Sequence, residues 1–307
     1  MLARVRRMLS WTALPYIRHE LPGWGPISRA VGVLDDSAWT TAPMRQVRGK
    51  LHGYEMFLDL RSWSDRQSFF LKRFYDLPSQ LLLQQALRAG DRFIDVGANI
   101  GMMTLAAARC VGESGQIESF EPNPKAFERL SQHVQTNHLS NVKLHQAAVS
   151  EQAGTMELRV VGGHTGAGTL GEIRESDKSA VTMAVAVKVL RGDDVIPPGD
   201  RPTTIKIDVE GFELQVLRGF DRLLRENRPL VLAETVSWYL RRAGTSLDEL
   251  YDFMSERGYR PHAFPLIRRG LGYQVKILPI DNSAAEQHKN VVWIHPDSPQ
   301  AGRLASE

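Results

Sequence analysis

Lys206, Asp208 and Glu210 alternate through the segment IKIDVEGFE, with Glu213 close behind. In an extended strand alternate residues share a face. These three charges therefore project to one side while Ile205, Ile207 and Val209 project to the other. Charges on a central strand are costly unless they are paired or used. Carboxylates within hydrogen-bond reach of a hydroxyl act as general bases, so the set reads as a site that takes or steers a proton. Glu234, which ends the apolar run PLVLAET, is expected at the same edge. Plainer readings stand beside these. Lys206 and Asp208 form a structural ion pair, Glu210 and Glu213 favour the start of a helix or make a weak capping box, and Glu234 is a stray acid.

A second constellation is Asp95-Val96-Gly97-Ala98-Asn99-Ile100-Gly101, directly after the apolar run RFIDV. Gly97 permits a tight strand-to-helix turn, and Gly101 permits close packing behind it. Glu121, in FEPNP, ends the next strand, where an acid can accept from both hydroxyls of a ribose. A dinucleotide site wants G-x-G-x-x-G and a bare helix N-terminus for a pyrophosphate. Here an acid precedes the turn. It repels a pyrophosphate but suits a cofactor that carries an amino group and a sulfonium, and S-adenosylmethionine has both. The alternative is a tight turn without ligand, with Glu121 as a solvated or capping carboxylate.

The elements that must position these residues alternate regularly. Strands are expected at 92–96, 116–121, 141–149, 203–209 and 229–235. A helix runs through Arg109. Another opens at Asn123 as cap and Pro124 in the first turn, with Phe127, Leu130 and Val134 on its apolar face. A helix bearing Phe212, Val216, Leu217, Phe220 and Leu223 follows the fourth strand, and 246–257 follows the fifth. Segments 271–279 and 290–295 read as two late strands, antiparallel. Strand–helix alternation gives an α/β fold, a mostly parallel sheet with helices on both faces and ligands at the strands' carboxyl ends. Ahead of it, 1–45 reads as a basic extension of short helices, 46–60 as a hairpin and 65–89 as helical. There Ser79 caps a run ended by Gly90. Between strands three and four lies VVGGHTGAGTLGEI (160–173), in which five of residues 162–171 are glycine. It reads either as a lid carrying His164 to the acceptor or as a long hairpin loop with an idle histidine.

The motifs DVGANIG, FEPNP and IKIDVEGFELQVLRGF, in that order, resemble the FkbM family of S-adenosylmethionine-dependent methyltransferases. The third motif is the specific one, and the likeness runs over about residues 46–295. The resemblance implies a class I, Rossmann-like methyltransferase domain over 91–300, preceded by 46–90 and the 1–45 extension. It implies methyl transfer to hydroxyls, often of sugars, polysaccharides or polyketide-type natural products. Carried over by position, it implies that Asp95, Val96, Gly97, Ala98, Asn99 and Gly101 form the cofactor turn. Glu121 would hold the ribose, Asn123 would sit beside the adenine, and Pro122 between them would belong to the cofactor site. Ala147 and Ala148 fall at the end of the third strand, where an aspartate often contacts the adenine; its absence leaves that contact to the backbone. Asn99 stands where many methyltransferases carry glycine, which departs from the class and agrees with the family. Asp208 is expected to orient or deprotonate the acceptor, with Glu210 assisting and Lys206 tuning their charge. A divalent metal bridging Asp208, Glu234 and the hydroxyl is the second expectation.

Composition narrows the classes. The chain has 307 residues, 42% hydrophobic and 24% charged, which excludes a disordered or fibrous protein. Its formal +3 divides unevenly: residues 1–50 hold eight Lys/Arg against three Asp/Glu, net +5, and the other 257 carry −2. The body thus lacks the basic balance of a nucleic-acid enzyme, and the Asn/Asp-Pro-Pro-aromatic motif of base methylation is missing. An NAD(P) oxidoreductase is disfavoured by the missing G-x-G-x-x-G, and a non-catalytic binding module by the intact cofactor residues. A single cysteine, Cys110, excludes an internal disulfide and a cysteine zinc site and fits a reducing compartment. The opening MLARVRRMLSWTALPYIRHE has no clean apolar core and reads as retained. A cytoplasmic enzyme acting on a small-molecule or glycan acceptor is expected. In residues 1–20, Arg4, Arg6, Arg7 and Arg18 interleave with Leu9, Trp11, Leu14, Tyr16 and Ile17. That stretch reads as a basic helix packed on the body or as a contact with an anionic inner membrane surface.

Overall fold

The computed structural model describes residues 2–161, 168–171, 179–270, 272–281 and 286–304. It forms two compact units, Met1–Gln80 and Leu81–Glu307. No helix among the described residues is long and apolar enough to cross a membrane.

In the first unit, helices Leu2–Thr12, Leu14–Arg18 and Trp24–Ala30 precede an antiparallel hairpin, Met44–Arg48 with Glu55–Asp59. Its core is Trp39, fully buried, with Phe70 edge-on at 5.6 Å. The guanidinium of Arg66, also fully buried, lies over Trp39, donates to the Leu60 carbonyl at 2.8 Å and pairs with Asp36 at 2.6 Å. The helix expected over 65–89 is two helices, Trp63–Leu71 and Leu77–Ala86. Lys72 adopts a left-handed φ of 54° that ends the first. Asp76, not Ser79, opens the second, accepting from the Ser79 amide at 3.3 Å, while Ser79 lies buried inside it.

The second unit is built on an eight-stranded sheet. Its strands are β1 (Arg92–Val96), β2 (Gln116–Phe120), β3 (Val142–His145), β4 (Thr203–Ile207), β5 (Leu230–Glu234), β6 (Arg260–Ala263), β7 (Leu278–Pro279) and β8 (Asn290–Ile294). The spatial order is β7-β6-β8-β5-β4-β1-β2-β3. The run from β5 to β3 is parallel, and β8 is inserted antiparallel between β5 and β6. Helices α1 (Met102–Val111), α2 (Pro124–Thr136), α3 (Glu213–Gly219), α4 (Asp221–Asn227), α5 (Ser237–Arg242) and α6 (Leu247–Ser255) connect the strands. This is the class I methyltransferase architecture that the resemblance implies. All five residues of β1, β4 and β5 are buried, as their short apolar runs require in a sheet covered on both faces. Ile94, Ile205, Ile207 and Val231 pack with Leu217, Phe220, Leu250 and Trp293 in one core. Asn123 caps α2 by accepting from the Lys125 amide at 3.0 Å, and Leu130 and Val134 face inward.

Three expectations about strands are corrected. The third strand stops at His145, whose carbonyl accepts from both the Glu121 and the Ala147 amides, at 3.0 and 2.9 Å, and so closes β3 there. Ala147 and Ala148 therefore do not end that strand; Ala148–Ser150 belongs to a second, four-stranded sheet with Gly154–Val161, Gly168–Thr169 and Val181–Arg191. The glycine-rich 160–173 segment has strands at its start and within it, and His164 lies outside the described residues. The segment 271–279 is not one strand: Gly272–Val275 pairs with Leu266–Arg269, and the chain then turns to form β7 against β6.

Candidate active site

The strand order reverses at the centre of the sheet, between β1 and β4, and a crevice opens at their carboxyl ends. Gly97 leaves β1 with φ 76°, and a Cβ there would stand 1.9 Å from the Asp208 carbonyl oxygen. The glycine is needed because the ends of β1 and β4 abut. Asn99 follows with φ 49°, a left-handed conformation that asparagine tolerates better than most residues. Gly101 has φ 88°, and its Cβ would meet the Leu130 side chain at 2.5 Å.

Glu121 fastens this turn to the end of β2. Its Oε2 accepts from the Asn99 amide at 2.7 Å and its Oε1 from the Asn123 amide at 2.8 Å. Each oxygen keeps further acceptor capacity. Burial pushes the Glu121 carboxyl up to about 7, against the pull of the two amides. Asp95 lies beneath the turn, fully buried. Its Oδ2 accepts from the Thr104 hydroxyl at 2.7 Å, and its Oδ1 has no hydrogen-bond partner among the described residues. Burial raises its pKa, with Lys206 and Thr104 opposing.

Lys206 ties the halves together. Its Nζ donates to the Gly97 carbonyl at 3.1 Å and lies 3.3 Å from Asp208 and 3.7 Å from Asp95. Burial works to lower its pKa, but Asp208 and Asp95 outweigh that and hold the ammonium charged. The strict alternation expected through residue 210 ends with β4 at Ile207. Glu210 has a left-handed φ of 55° and Gly211 a φ of 116°. Asp208 and Glu210 reach the Lys206 edge through a turn, not along a strand. Glu213 builds that turn: fully enclosed, it accepts from the Val209 and Gly211 amides at 3.2 Å each, and burial pushes its carboxyl up to about 7. Arg242 of α5 donates to the Glu210 carbonyl at 2.8 Å and backs the turn from outside.

Asp208, Glu210 and Glu234 each place a carboxylate oxygen within 4.8 Å of the others. Burial, then the charge of Asp208, pushes Glu210 up to about 7, with Arg242 and the Tyr239 hydroxyl opposing. The same two causes raise Glu234, whose Oε1 pairs with Lys289 at 2.9 Å. Its Oε2 is buried without a partner among the described residues. The cleft, its open mouth included, holds about 670 Å³ and runs from Asn99, Glu121 and Asn123 to Asp208 and Glu210.

The FkbM methyltransferase domain profile matches residues 95–261, a span that holds both ends of this cleft. The chain belongs to the FkbM methyltransferase family. It is 32% identical over 148 residues to Methyltransferase 1 of Beauveria bassiana, covering 43% of this chain and 59% of that protein. It is 28% identical over 148 residues to the hexuronic acid methyltransferase AglP of Haloferax volcanii, covering 48% of this chain and 56% of that one. The chain thus spans little more than half the length of these curated relatives. A crystal structure of an FkbM methyltransferase from Methylobacillus flagellatus aligns over 77% of this chain and 54% of that one, at 18% identity and a TM-score of 0.41.

Of the positions expected in the FkbM site, Val96, Gly97, Asn99, Glu121, Pro122, Asn123, Ala147, Ala148, Asp208 and Glu210 line the cleft. Asp95, Ala98, Gly101, Lys206 and Glu234 are not part of the lining, though Lys206 holds the Gly97 carbonyl and Glu234 approaches Asp208 and Glu210. Thr104 and the lining residues Leu158 and Leu170 were not expected. The period-two alternation of GTMELRVV is the signal that points to Leu158. Thr104 has no sequence signature, because its partner is nine residues away across a turn.

Proposed function

We propose that this FkbM protein transfers the methyl group of S-adenosylmethionine to a hydroxyl of a sugar, glycan or natural product. One observation carries the reading: a single cleft joins a Glu121 end suited to a ribose with an Asp208–Glu210 end suited to an acceptor hydroxyl. The residues fit the cofactor. Glu121 retains acceptor capacity, Asn99 Oδ1 and Asp95 Oδ1 are buried without hydrogen-bond partners among the described residues, and the acids at the far end suit a positive sulfur. The cofactor supplies an electrophilic methyl. The chain supplies the alignment, which accounts for much of the rate of an in-line displacement. Asp208, half-exposed at the cleft and beside the Lys206 ammonium, orients the acceptor hydroxyl and takes its proton. Glu210 and Glu234 surround it and can share that proton. The sugar acceptor class is supported by AglP, whose name specifies a hexuronic acid.

A divalent cation is the second reading, favoured by the convergence of the three carboxylates. Asp208, Glu210 and Glu234 would hold it; their hard oxygens suit Mg²⁺ or Mn²⁺, and it would lower the pKa of an acceptor hydroxyl. The test is Asp208→Asn assayed with candidate glycans for a mass gain of one methylene equivalent. Turnover should fall by roughly 10²- to 10⁴-fold, well beyond any loss of cofactor affinity from the missing charge. Full turnover by the variant would remove Asp208 as the base. In the same assay, turnover that survives exhaustive chelation removes the cation.

A further inference from the structure

The helix Leu2–Thr12 is amphipathic the wrong way round for water. Val5, Met8 and Leu9 fall at i, i+3 and i+4 on one face, and they are 40%, 61% and 42% exposed. Ser10, on the opposite face, is completely buried and donates to the Val31 carbonyl at 2.6 Å. Trp11 turns inward against Phe69 and Phe70, and the Arg7 guanidinium lies over the buried Trp39 ring. A surface helix normally puts its aliphatic stripe inward and its polar residues outward. Here a serine and an arginine face the core while the aliphatic stripe is left out.

This stripe is part of a wider bias. Among the described residues nine large apolar side chains are exposed, and six of them fall within the first 44 residues. The unit that carries them, Met1–Gln80, holds 12 Lys/Arg against seven Asp/Glu, net +5, whereas the rest of the chain is −2. Arg29, Arg45 and Arg48 of this unit are exposed. Scattered apolar residues on a surface need no explanation, but an ordered stripe on a positively charged unit does.

We propose that the Val5–Met8–Leu9 face of the first helix rests on an anionic lipid surface. Such a surface matches both properties: the stripe enters the boundary between headgroups and acyl chains while the unit's net positive charge favours acidic headgroups. A nucleic acid would use the charge and leave the stripe in water. A second copy of the chain would cover the stripe but bring +5 against +5. Of the basic residues of 1–20, Arg7 and Arg18 lie over aromatic rings and Arg6 pairs with Asp35, so the apolar residues make the outward contact.

The test is co-sedimentation of the full chain with phosphatidylcholine vesicles, with and without phosphatidylglycerol. The intact chain should partition onto the anionic vesicles about tenfold better than onto neutral ones, and salt should weaken this. Met8→Asp with Leu9→Asp should lower that partition by about tenfold or more. Met8→Ala with Leu9→Ala, which keeps helix propensity, should also lower it. An unchanged thermal midpoint shows that the fold is intact. No association of the intact chain with anionic vesicles overturns the proposal, as does equal association by the aspartate variant. A concentration-dependent dimer dispersed by that variant would overturn it too, and would assign the stripe to a second copy.

Discussion

Glu213 is the residue on which the acidic turn depends, and its chemistry makes a measurable demand on stability. Its carboxylate accepts from two amides, at Val209 and Gly211, so it fixes where Asp208 and Glu210 point. It is also enclosed, and burial raises its carboxyl from an ordinary 4.5 to about 7. The folded state therefore binds this proton more tightly than the unfolded chain does. The resulting stabilisation is complete below pH 4.5 and is lost as the pH rises through about 7. Glu213→Gln keeps an oxygen for both amides and removes the titration. We expect denaturant unfolding of the variant to be flatter between about pH 5 and 8. At the upper end the variant should gain up to roughly 3 kcal/mol over the parent. A parent and variant with the same slope would show that Glu213 is not held protonated.

At the scale of elements, the site exists because two strand ends touch. Gly97 is where they meet, and a methyl group there would sit 1.9 Å from the Asp208 carbonyl, backbone against backbone. Gly97→Ala must push β1 and β4 apart and should cost well over 2 kcal/mol and most of the cofactor affinity. Gly23→Ala is the control: its φ of 83° and ψ of 8° are left-handed, but nothing lies within 4 Å of the added carbon. It should cost only the strain, about 1 kcal/mol, and spare the affinity. Equal losses in the two variants, by denaturation and cofactor titration, would deny the close approach. These elements were legible to different degrees. RFIDV and TTIKI announce strands by their short runs of β-branched and aromatic residues, each followed by a helical run, and Asn123-Pro124 announces the start of α2. The turn after Ile207 is not announced: period-two alternation continues through Glu210 in the sequence, and a left-handed φ at a glutamate has no pattern of its own. The three acids converge all the same, since the turn brings back to one edge what the strand would have put there. The second sheet was hidden for another reason. Its strand Val181–Arg191 is one-sided in the fold, but Ala184 and Ala186 stand on its exposed face, so the sequence carries little polar–apolar contrast there.

Over the whole molecule the charges separate, with +5 in Met1–Gln80 and −2 in the remainder, and within the second unit Asp208, Glu210 and Glu234 converge. Glu121 and Glu210, at the two ends of the cleft, are both pushed up to about 7. Near neutral pH the cleft is therefore balanced between protonated and ionised states, and a cationic ligand decides between them. A sulfonium beside Asp208 and Glu210 favours the ionised form, so its binding should expel protons, and its affinity should rise as the pH passes through the carboxyl pKa values. S-adenosylhomocysteine offers the same adenosine and amino acid without the sulfur charge. The stabilisation by S-adenosylmethionine in excess of that by S-adenosylhomocysteine should then widen from about pH 6 to 8. One carboxyl shifted by a full unit corresponds to about tenfold in relative affinity. The sign is fixed by the direction of the shifts: raised carboxyls are neutral at the lower pH and repay a positive ligand only when ionised. Thermal midpoints with each ligand across that range provide the measurement. A gap that stays constant would place the sulfonium away from Asp208 and Glu210 and remove the charge complementarity on which the proposed direction of methyl transfer rests.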